Sequence, residues 1–245
     1  MVDLIGNVDV PPDRPYVVLK YAQTLDGRIA TGGADRSIRV WDPSGTQITE
    51  LDAPARVKSV AFHPDGTLVS AGEDGAVTAW DLESRKPVRT IAEHDGPVTS
   101  LVLAGNVVAS GGADRTIRLV DPASDAPPRN FPVAHTAEVE ALAFSPDGTV
   151  LASGGNDGRI VLWDVEHSRE LAVLGELGNA LRDIAFTPDG RTLITGDASG
   201  AVIFWDVAAR RQSATLPGQR GAVREQVEML EHHADLASLL CCHPR

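Results

Sequence analysis

Short apolar runs alternate with polar turns along this chain, and the same alternation recurs five times. Each unit opens with an apolar run, passes through a turn that reads Pro-Asp-Gly in three copies, and continues into a second apolar run. A Gly/Asp turn, a third run and a more polar fourth run complete the unit. Because proline fixes φ and Asp-Gly tolerates positive φ, these turns reverse the chain tightly. The pattern predicts four antiparallel strands in each unit.

The third run of every unit ends alike, and these endings set the repeat length. They read SIRVWD at 37–42, AVTAWD at 76–81, TIRLVD at 116–121, RIVLWD at 159–164 and AVIFWD at 201–206. Successive final Asp residues are 39, 40, 43 and 42 positions apart, close to the period of about 40–45 residues of a propeller blade. We therefore predict an all-β fold, a β-propeller of five four-stranded blades that forms either a closed ring or an open arc.

The predicted propeller occupies residues 16–218 and follows an N-terminal extension at 1–15. Its blades are 16–52, 57–94, 98–135, 139–176 and 181–218. The tail at 219–245 follows a different pattern, with apolar residues spaced four and three apart, which is typical of one face of a helix. They are Val223, Val227, Leu230, Ala234 and Ala237. We predict a C-terminal amphipathic helix that caps the last blade, is loosely attached, or binds a partner or a second copy.

The repeated endings and the motifs before them resemble the WD-repeat family over about residues 17–218. In that family a His between blades, a Ser or Thr on the second strand, an Asp in the next turn and the Trp form a buried hydrogen-bonded set. The resemblance implies a full set in the fourth blade and a set lacking Trp in the third, where Val120 replaces it. The implied residues are His135, Ser153, Asp157 and Trp163, then His94, Ser110 and Asp114.

The other three blades match this set less fully. The matching residues are Thr31, Asp35 and Trp41 in the first blade, Ser70, Asp74 and Trp80 in the second, and Thr195 and Trp205 in the fifth. The first blade has no His, and the second has Ala53 near the His position. In the fifth blade, Ser199 stands where the Asp is expected.

Partners of propellers in this family often dock on one flat face around the central channel. The matching positions, called the predicted binding face below, are Arg56, Lys58, Glu73, Pro97, Thr99, Glu138, Glu140, Asn156 and Arg182. Basic residues lie on the second blade and acidic residues on the fourth, so we expect a divided charge that would orient a partner. The alternative is an ordinary solvated surface of mixed charge.

Composition narrows the choice of partner. The 245 residues carry a formal charge of −12, which disfavours nucleic acid and anionic membranes and leaves other proteins or peptides. The first 15 residues contain neither a basic segment nor a long apolar run, so we expect a cytoplasmic protein. Lysine is rare beside arginine, which is compatible with a bacterial source.

Motifs that carry chemistry are missing from the sequence. It contains no phosphate-binding loop, dinucleotide fingerprint, nucleophile elbow or HExxH motif. We expect no catalytic residue, no cofactor and no metal. A cluster in the tail offers metal-ligand types, but its pairs are adjacent in sequence and would point apart on a helix; it comprises His232, His233, Cys241, Cys242 and His243. His63 and His167 are expected to be exposed in a turn and a loop.

Residues 14–31, RPYVVLKYAQTLDGRIAT, carry a second resemblance. They are similar to the opening strand and loop of the riboflavin-pathway pyrimidine reductase family, which resembles dihydrofolate reductase in fold and uses NADPH. The similarity covers about 18 residues and stops at Thr31. It implies either a fused remnant of such an NADPH-dependent enzyme or a first strand that happens to fit the propeller pattern.

Three hypotheses about function follow. The first is a non-enzymatic protein-interaction scaffold, the second a reductase-like remnant, and the third a regulatory or sensor module of a larger bacterial signalling protein. Five blades are few for a propeller of this type. An open arc would expose strand edges and apolar faces, so self-association through the blade edges or the C-terminal helix is a further expectation.

Overall fold

Five antiparallel four-stranded sheets make up the computed structural model, which describes residues 21–23 and 27–216. In every sheet the strands lie side by side in chain order. The strands are β1 Tyr21–Gln23, β2 Ile29–Gly32, β3 Ser37–Trp41 and β4 Gln47–Asp52; β5 Val57–Phe62, β6 Leu68–Gly72, β7 Ala76–Asp81 and β8 Lys86–Glu93; β9 Val98–Ala104, β10 Val107–Gly112, β11 Ile117–Val120 and β12 Arg129–Asn130; β13 Val139–Phe144, β14 Val150–Gly155, β15 Arg159–Asp164 and β16 Arg169–Glu176; and β17 Leu181–Phe186, β18 Thr192–Asp197, β19 Val202–Asp206 and β20 Arg211–Leu216. This confirms the all-β prediction of five four-stranded units.

The Pro-Asp-Gly turns join the first and second strands of the second, fourth and fifth sheets. Their glycines, Gly66, Gly148 and Gly190, have positive φ, a conformation that glycine adopts without steric cost. The aspartate side chain closes each turn, as when Asp65 Oδ1 accepts a hydrogen bond of 2.8 Å from the backbone N of Thr67. The turns therefore fix the register that places each apolar run in the core.

The sheets pack face to face in chain order. The first strand of each sheet contacts the first strand of the next, from β1 to β17, and the fourth strands lie outermost. Between sheets, side chains from two neighbours share one core, as where Ile38 and Val40 of the first sheet pack with Leu68 and Trp80 of the second. A single sheet cannot bury both of its faces, so stability comes from stacking.

The series of contacts between first strands does not close. Among residues 21–23 and 27–216, no comparable set of contacts joins β17 to β1. Trp80, Trp163 and Trp205, which face the preceding sheet, are 2%, 0% and 4% exposed, whereas Trp41 on the first sheet is half-buried. Among the described residues, the contacts between first strands therefore run from the first sheet to the fifth, and the choice between a closed ring and an open arc stays a prediction.

The third sheet departs from the predicted pattern at its outer strand. We expected a fourth strand across 129–135, but β12 contains only Arg129 and Asn130. Pro132 has no N–H to donate to a ladder, and a Pro pair precedes the strand. The predicted extension at 1–15 and the helical tail at 219–245, with its His and Cys cluster, lie outside the described residues.

Candidate functional site

A β-bulge marks the start of the first strand in four successive sheets. In the second sheet Val57 and Ser59 pair with adjacent residues of β6, which leaves Lys58 between them as the extra residue. Thr99, Glu140 and Arg182 take the same position in the next three sheets. A bulge redirects the side chain of its extra residue, so four members of the predicted binding face share one local geometry.

The remaining members of this face lie beside the bulges. The residue before the strand accepts a backbone hydrogen bond from the turn between the second and third strands of the same sheet. These bonds run from Glu73 to Arg56 at 3.0 Å, Ala113 to Pro97 at 2.9 Å, Asn156 to Glu138 at 2.9 Å and Ala198 to Ala180 at 2.8 Å. The structure therefore brings each predicted group together at the same end of its sheet.

Close packing explains the glycine opposite the bulge in the second sheet. A Cβ atom on Gly72 would lie 2.0 Å from the carbonyl oxygen of Arg56, a distance that no side chain can occupy. The loop and the turn approach each other to this extent only because Gly72 has no side chain. The loop that carries Arg56 is thereby held against its own sheet.

Charges on the predicted binding face are less divided than we expected. Arg56 Nη1 lies 3.8 Å from Glu73 Oε1 within the second sheet. Arg182 Nη1 of the fifth sheet lies 3.7 Å from Glu140 Oε1 of the fourth. Such exposed pairs contribute about 0–1 kcal/mol to stability. Within each pair, however, the positive and the negative charge partly cancel each other's electrostatic field. Among the described residues, Lys58 has no carboxylate within ion-pair distance.

Uncharged residues occupy the third sheet's part of this face. Pro97 and Thr99 are half-buried. The Thr99 hydroxyl donates to Gly111 O at 2.8 Å and also contacts Val139 O of the next sheet. Because main-chain oxygens engage this hydroxyl, Thr99 ties two sheets together, and the third sheet offers a partner a small, weakly polar surface.

Beneath the face, the fourth sheet contains a continuous chain of hydrogen bonds. Trp163 Nε1 donates to Ser153 Oγ at 2.8 Å, and Ser153 Oγ lies 2.7 Å from His135 Nε2. His135 Nδ1 lies 3.2 Å from Asp157 Oδ1. A carboxylate can only accept hydrogen bonds, so the His135 Nδ1 carries the proton and donates to Asp157. The His135 Nε2 then accepts a hydrogen bond from the Ser153 hydroxyl. The carboxylate also accepts from the backbone N of Thr136 at 2.7 Å, which anchors the loop between sheets.

The third sheet repeats this chain without the indole. His94 Nε2 lies 2.9 Å from Ser110 Oγ, and His94 Nδ1 lies 3.0 Å from Asp114 Oδ1. Thr116 adds a hydroxyl donor to Asp114 Oδ1 at 2.7 Å. Burial alone would raise the pKa of Asp114, but the hydrogen bonds from His94 and Thr116 outweigh it and lower the pKa to about 2.

Both buried histidines stay neutral more readily than a histidine in water. Burial lowers the pKa of His94 and of His135 below the usual 6.5, although Asp114 and Asp157 act in the opposite direction. Desolvation disfavours the imidazolium in each case. The neutral form is also the one that the hydrogen bonds require, since Nε2 must accept from the serine.

The first two sheets keep only the indole bond of the set. Trp41 Nε1 donates to Thr31 Oγ1 at 3.1 Å, and Trp80 Nε1 donates to Ser70 Oγ at 2.8 Å. Their turn aspartates remain exposed and serve local turns: Asp35 binds Ser37 and Arg39, and Asp74 binds the backbone of Ala76. Without a histidine, the aspartate has no link to the indole.

The fifth sheet contains an aspartate that the sequence comparison of blades missed. Trp205 Nε1 donates to Thr195 Oγ1 at 3.0 Å. Asp197, only 4% exposed, accepts from the backbone N of Ser199 at 2.9 Å and from Asn179 Nδ2 at 3.2 Å. Asp197 thus joins turn and loop in place of the aspartate expected at 199. An Asn in the preceding loop was the available signal.

Two further histidines, His63 and His167, were expected to be exposed. The expectation that His63 is exposed is wrong: the side chain is buried, and its Nδ1 lies 2.8 Å from Asp65 Oδ1 inside the turn. His167 is exposed and pairs with Asp164 at 2.9 Å. Within the described part of the chain, no group of three or more His, Cys, Asp or Glu residues is placed to hold a metal ion.

Comparison with known proteins decides the family. A family model described as WD domain, G-beta repeat matches residues 4–42, 45–81, 85–121, 127–164 and 170–206. The chain belongs to the WD-repeat family. Each later match begins at the outer strand of one sheet and ends at the third strand of the next, so one WD repeat spans two neighbouring sheets.

Curated relatives of this WD-repeat chain are longer proteins. It is 31% identical over 168 residues to anaphase-promoting complex subunit cdh1 of Dictyostelium discoideum, covering 65% of this chain and 22% of that protein. It is 30% identical over 188 residues to meiotic fizzy-related protein 1 of Schizosaccharomyces pombe, covering 71% and 45%. The chain therefore spans less than half of these relatives.

A solved structure has the same fold. A chain in the crystal structure of a mitotic checkpoint complex superposes with a TM-score of 0.74 at 24% identity, covering 87% of this chain and 73% of that one. The similarity shows that the two chains share a fold.

The first WD-repeat match includes the residues that resemble the pyrimidine reductase family. Tyr21–Gln23 and Ile29–Gly32 pair as antiparallel strands of the first sheet, with Tyr21 opposite Thr31. Neither the family match nor the fold supports a reductase here. No helix in the described ranges is long and apolar enough to span a membrane.

Proposed function

We propose that this WD-repeat chain is a protein-interaction scaffold without catalytic activity, and that a protein or peptide partner docks on the predicted binding face. The observation that carries the proposal is the bulge at the same position of four successive sheets. Bulges are conformations that re-aim side chains, often next to functional sites. Their repetition presents four variable residues, Lys58, Thr99, Glu140 and Arg182, on a rigid support.

The names of the relatives are consistent with a role in assemblies. One is a subunit of the anaphase-promoting complex, and the solved structure is of a mitotic checkpoint complex. Both names describe proteins that work inside multi-protein complexes. The proposal carries only this class of function to the present chain and does not name its partner.

The charges on the face favour a partner segment of mixed charge. Lys58 is the cation without an opposite charge on the face, so a carboxylate of the partner belongs beside it. Glu138 is exposed and accepts a hydrogen bond from Asn156 Nδ2 at 3.1 Å, so a basic group belongs at the fourth sheet. A small apolar group would fit between them over Pro97.

A charge-reversal experiment tests this proposal. A partner captured by the wild-type chain is titrated calorimetrically against Arg56→Glu/Lys58→Glu. We expect at least a tenfold rise in Kd, because two cations at the face become anions. The matched control, Arg85→Glu/Lys86→Glu, changes the same charge at the exposed turn that joins β7 to β8 at the opposite end of the same sheet.

The two variants separate a specific face from a general electrostatic effect. Equal weakening in both would show that net charge alone acts, and unchanged affinity in the first would refute docking on this face. A cytoplasmic location, a bacterial source and the exclusion of nucleic acid and membrane partners, which rest on the charge of −12 and on composition, belong to the proposal as well. Filter binding to duplex DNA at low salt tests the nucleic-acid statement.

A further inference from the structure

A small cavity lies beside Trp80 in the second sheet, at the place where the third and fourth sheets each hold an imidazole ring. Ala53 occupies the position of the histidine, because its backbone N donates to Arg36 O at 2.8 Å as His94 N donates to Gly75 O at 2.9 Å. The residues that line the cavity include Ala53, Ser70, Asp74, Thr78 and Trp80. The space open to the centre of a water molecule is about 10 Å³, close to the smallest volume that holds one buried water.

Two buried hydroxyl groups border this cavity. Ser70 Oγ accepts from Trp80 Nε1 at 2.8 Å, and a serine hydroxyl also has a proton to donate. In the fourth sheet the equivalent proton goes to His135 Nε2, whereas no described residue accepts it from Ser70. Thr78 stands directly opposite Ser70 in the strand register, so both side chains share one face of the sheet. Thr78 is 9% exposed, and its hydroxyl makes no hydrogen bond to another described residue.

A carboxylate borders the cavity as well. In the third and fourth sheets, the turn aspartate accepts a backbone hydrogen bond from the residue that follows the histidine. These bonds run from Asp95 to Asp114 at 3.0 Å and from Thr136 to Asp157 at 2.7 Å. In the second sheet this residue is Pro54, which has no N–H to donate. Asp74 accepts from the backbone N of Ala76 at 3.2 Å, and the rest of its carboxylate is available to a donor in the cavity.

We propose that the cavity binds a single water molecule, which makes the two hydrogen bonds that the imidazole makes in the neighbouring sheets. The water accepts from the Ser70 hydroxyl and donates to the Asp74 carboxylate, and the Thr78 hydroxyl is its third partner. About three hydrogen bonds are typical of a buried water, whereas cavities with purely apolar walls stay dry. The bound water joins the second strand to the turn that carries Glu73 of the predicted binding face.

Water-selective NOE spectroscopy of the full, ¹⁵N-labelled chain tests this site. We expect a negative NOE between water and the indole Hε1 of Trp80, the sign given by a water that is held rather than diffusing past. Trp163 is the matched control, because its Nε1 donates to Ser153 Oγ at the same 2.8 Å, so that magnetisation relayed through an exchanging hydroxyl affects both indoles. The NOE at Trp163 should be weaker or absent. No NOE at Trp80, or equal NOEs at both indoles, would overturn the proposal.

Two substitutions of Ala53 add a second measurement. Ala53→His introduces an imidazole, and Ala53→Leu introduces an apolar side chain of similar size, as Leu177 has at the same position before the fifth sheet. Both should displace the water and abolish the NOE at Trp80. Ala126→His, which adds a histidine in an exposed loop of the third sheet, should keep it. An NOE that persists in either Ala53 variant would contradict the proposal.

The stabilities of the two Ala53 variants show whether the cavity requires a polar occupant. Only the imidazole can accept the Ser70 proton, whereas leucine leaves this buried donor unpaired. In urea unfolding at pH 7.5, the equilibrium constant for folding should therefore be at least about fivefold larger for Ala53→His than for Ala53→Leu. Equal constants would show that the Ser70 hydroxyl needs no acceptor, and the argument for a bound water would fail.

Discussion

Replacing Ser153 by alanine removes the central group of the hydrogen-bonded set in the fourth sheet. Ser153 is 0% exposed, and its Oγ joins two nitrogens, Trp163 Nε1 at 2.8 Å and His135 Nε2 at 2.7 Å. The variant leaves both nitrogens buried in an apolar core without the hydroxyl. A buried polar group that loses its partner costs about 1–3 kcal/mol. We therefore expect Ser153→Ala to lower the free energy of unfolding by about 2–6 kcal/mol, the sum for two groups.

The chain provides its own controls for this value. Among the described residues, the Ser110 hydroxyl bonds only to His94, because Val120 replaces the tryptophan of the third sheet. Within the same part of the chain, the Ser70 hydroxyl bonds only to Trp80, because the second sheet has no histidine. Ser110→Ala and Ser70→Ala each remove the hydrogen-bond partner of one buried nitrogen, so each should lower the free energy of unfolding by about 1–3 kcal/mol. All three serines are buried on second strands, so the loss of the side chain itself is matched.

Urea unfolding followed by far-UV circular dichroism at pH 7.5 measures the three costs, and hydrogen exchange of β14, β10 and β6 measures them locally. Circular dichroism is preferred to fluorescence because the Ser153 variant alters the environment of Trp163. The expected order places Ser153→Ala about 1–3 kcal/mol above the other two. If Ser153→Ala costs no more than Ser110→Ala, the two bonds to its hydroxyl do not act as a connected set, and the reasoning fails.

Two further predictions concern acid and a glycine. Burial lowers the pKa values of His94 and His135 in the folded chain. The contribution of the two histidines to the free energy of unfolding is therefore complete above the histidine pKa of the unfolded chain, near 6.5. This contribution is lost as the pH falls below 6.5, because the unfolded chain then binds protons before the folded chain does. The urea midpoint should therefore drop between pH 7.5 and 5.0, and by less in a double variant with Gln at both positions; a midpoint that rises would contradict this. Gly158 has φ +77°, and a Cβ there would lie 2.1 Å from Leu177 O, so Gly158→Ala should cost at least about 2 kcal/mol. Thermal unfolding should show little change for Gly178→Ala, where a Cβ meets no atom within 4 Å, and equal losses in both would refute the steric argument.

Local pattern explains which parts of the fold were predictable. The Asp65, Asp147 and Asp189 turns each contain the groups that close them, so strand pairing could be inferred from a few adjacent residues. Closure of the ring depends instead on how the fifth sheet meets the first, and no short segment encodes that relation. The ion pair between Arg182 and Glu140 joins residues of different sheets, so the offset of charge on the predicted binding face also became visible only in three dimensions.

The fifth sheet shows why residue-by-residue comparison of blades has a limit. In the fourth sheet, a Cβ on Gly155 would lie 2.6 Å from His135 Nδ1 and 2.5 Å from Asp157 Oδ1, so the complete set requires a glycine there. In the fifth sheet the His position holds Leu177 and the Asp position holds Ser199, and the space beside the strand can accept a side chain. Asp197 occupies the position of that glycine and supplies the carboxylate from two residues earlier. The same link between loop and turn is thus made by a compensating set of changes. A comparison that asks only whether an Asp stands at one position detects the loss and misses the replacement.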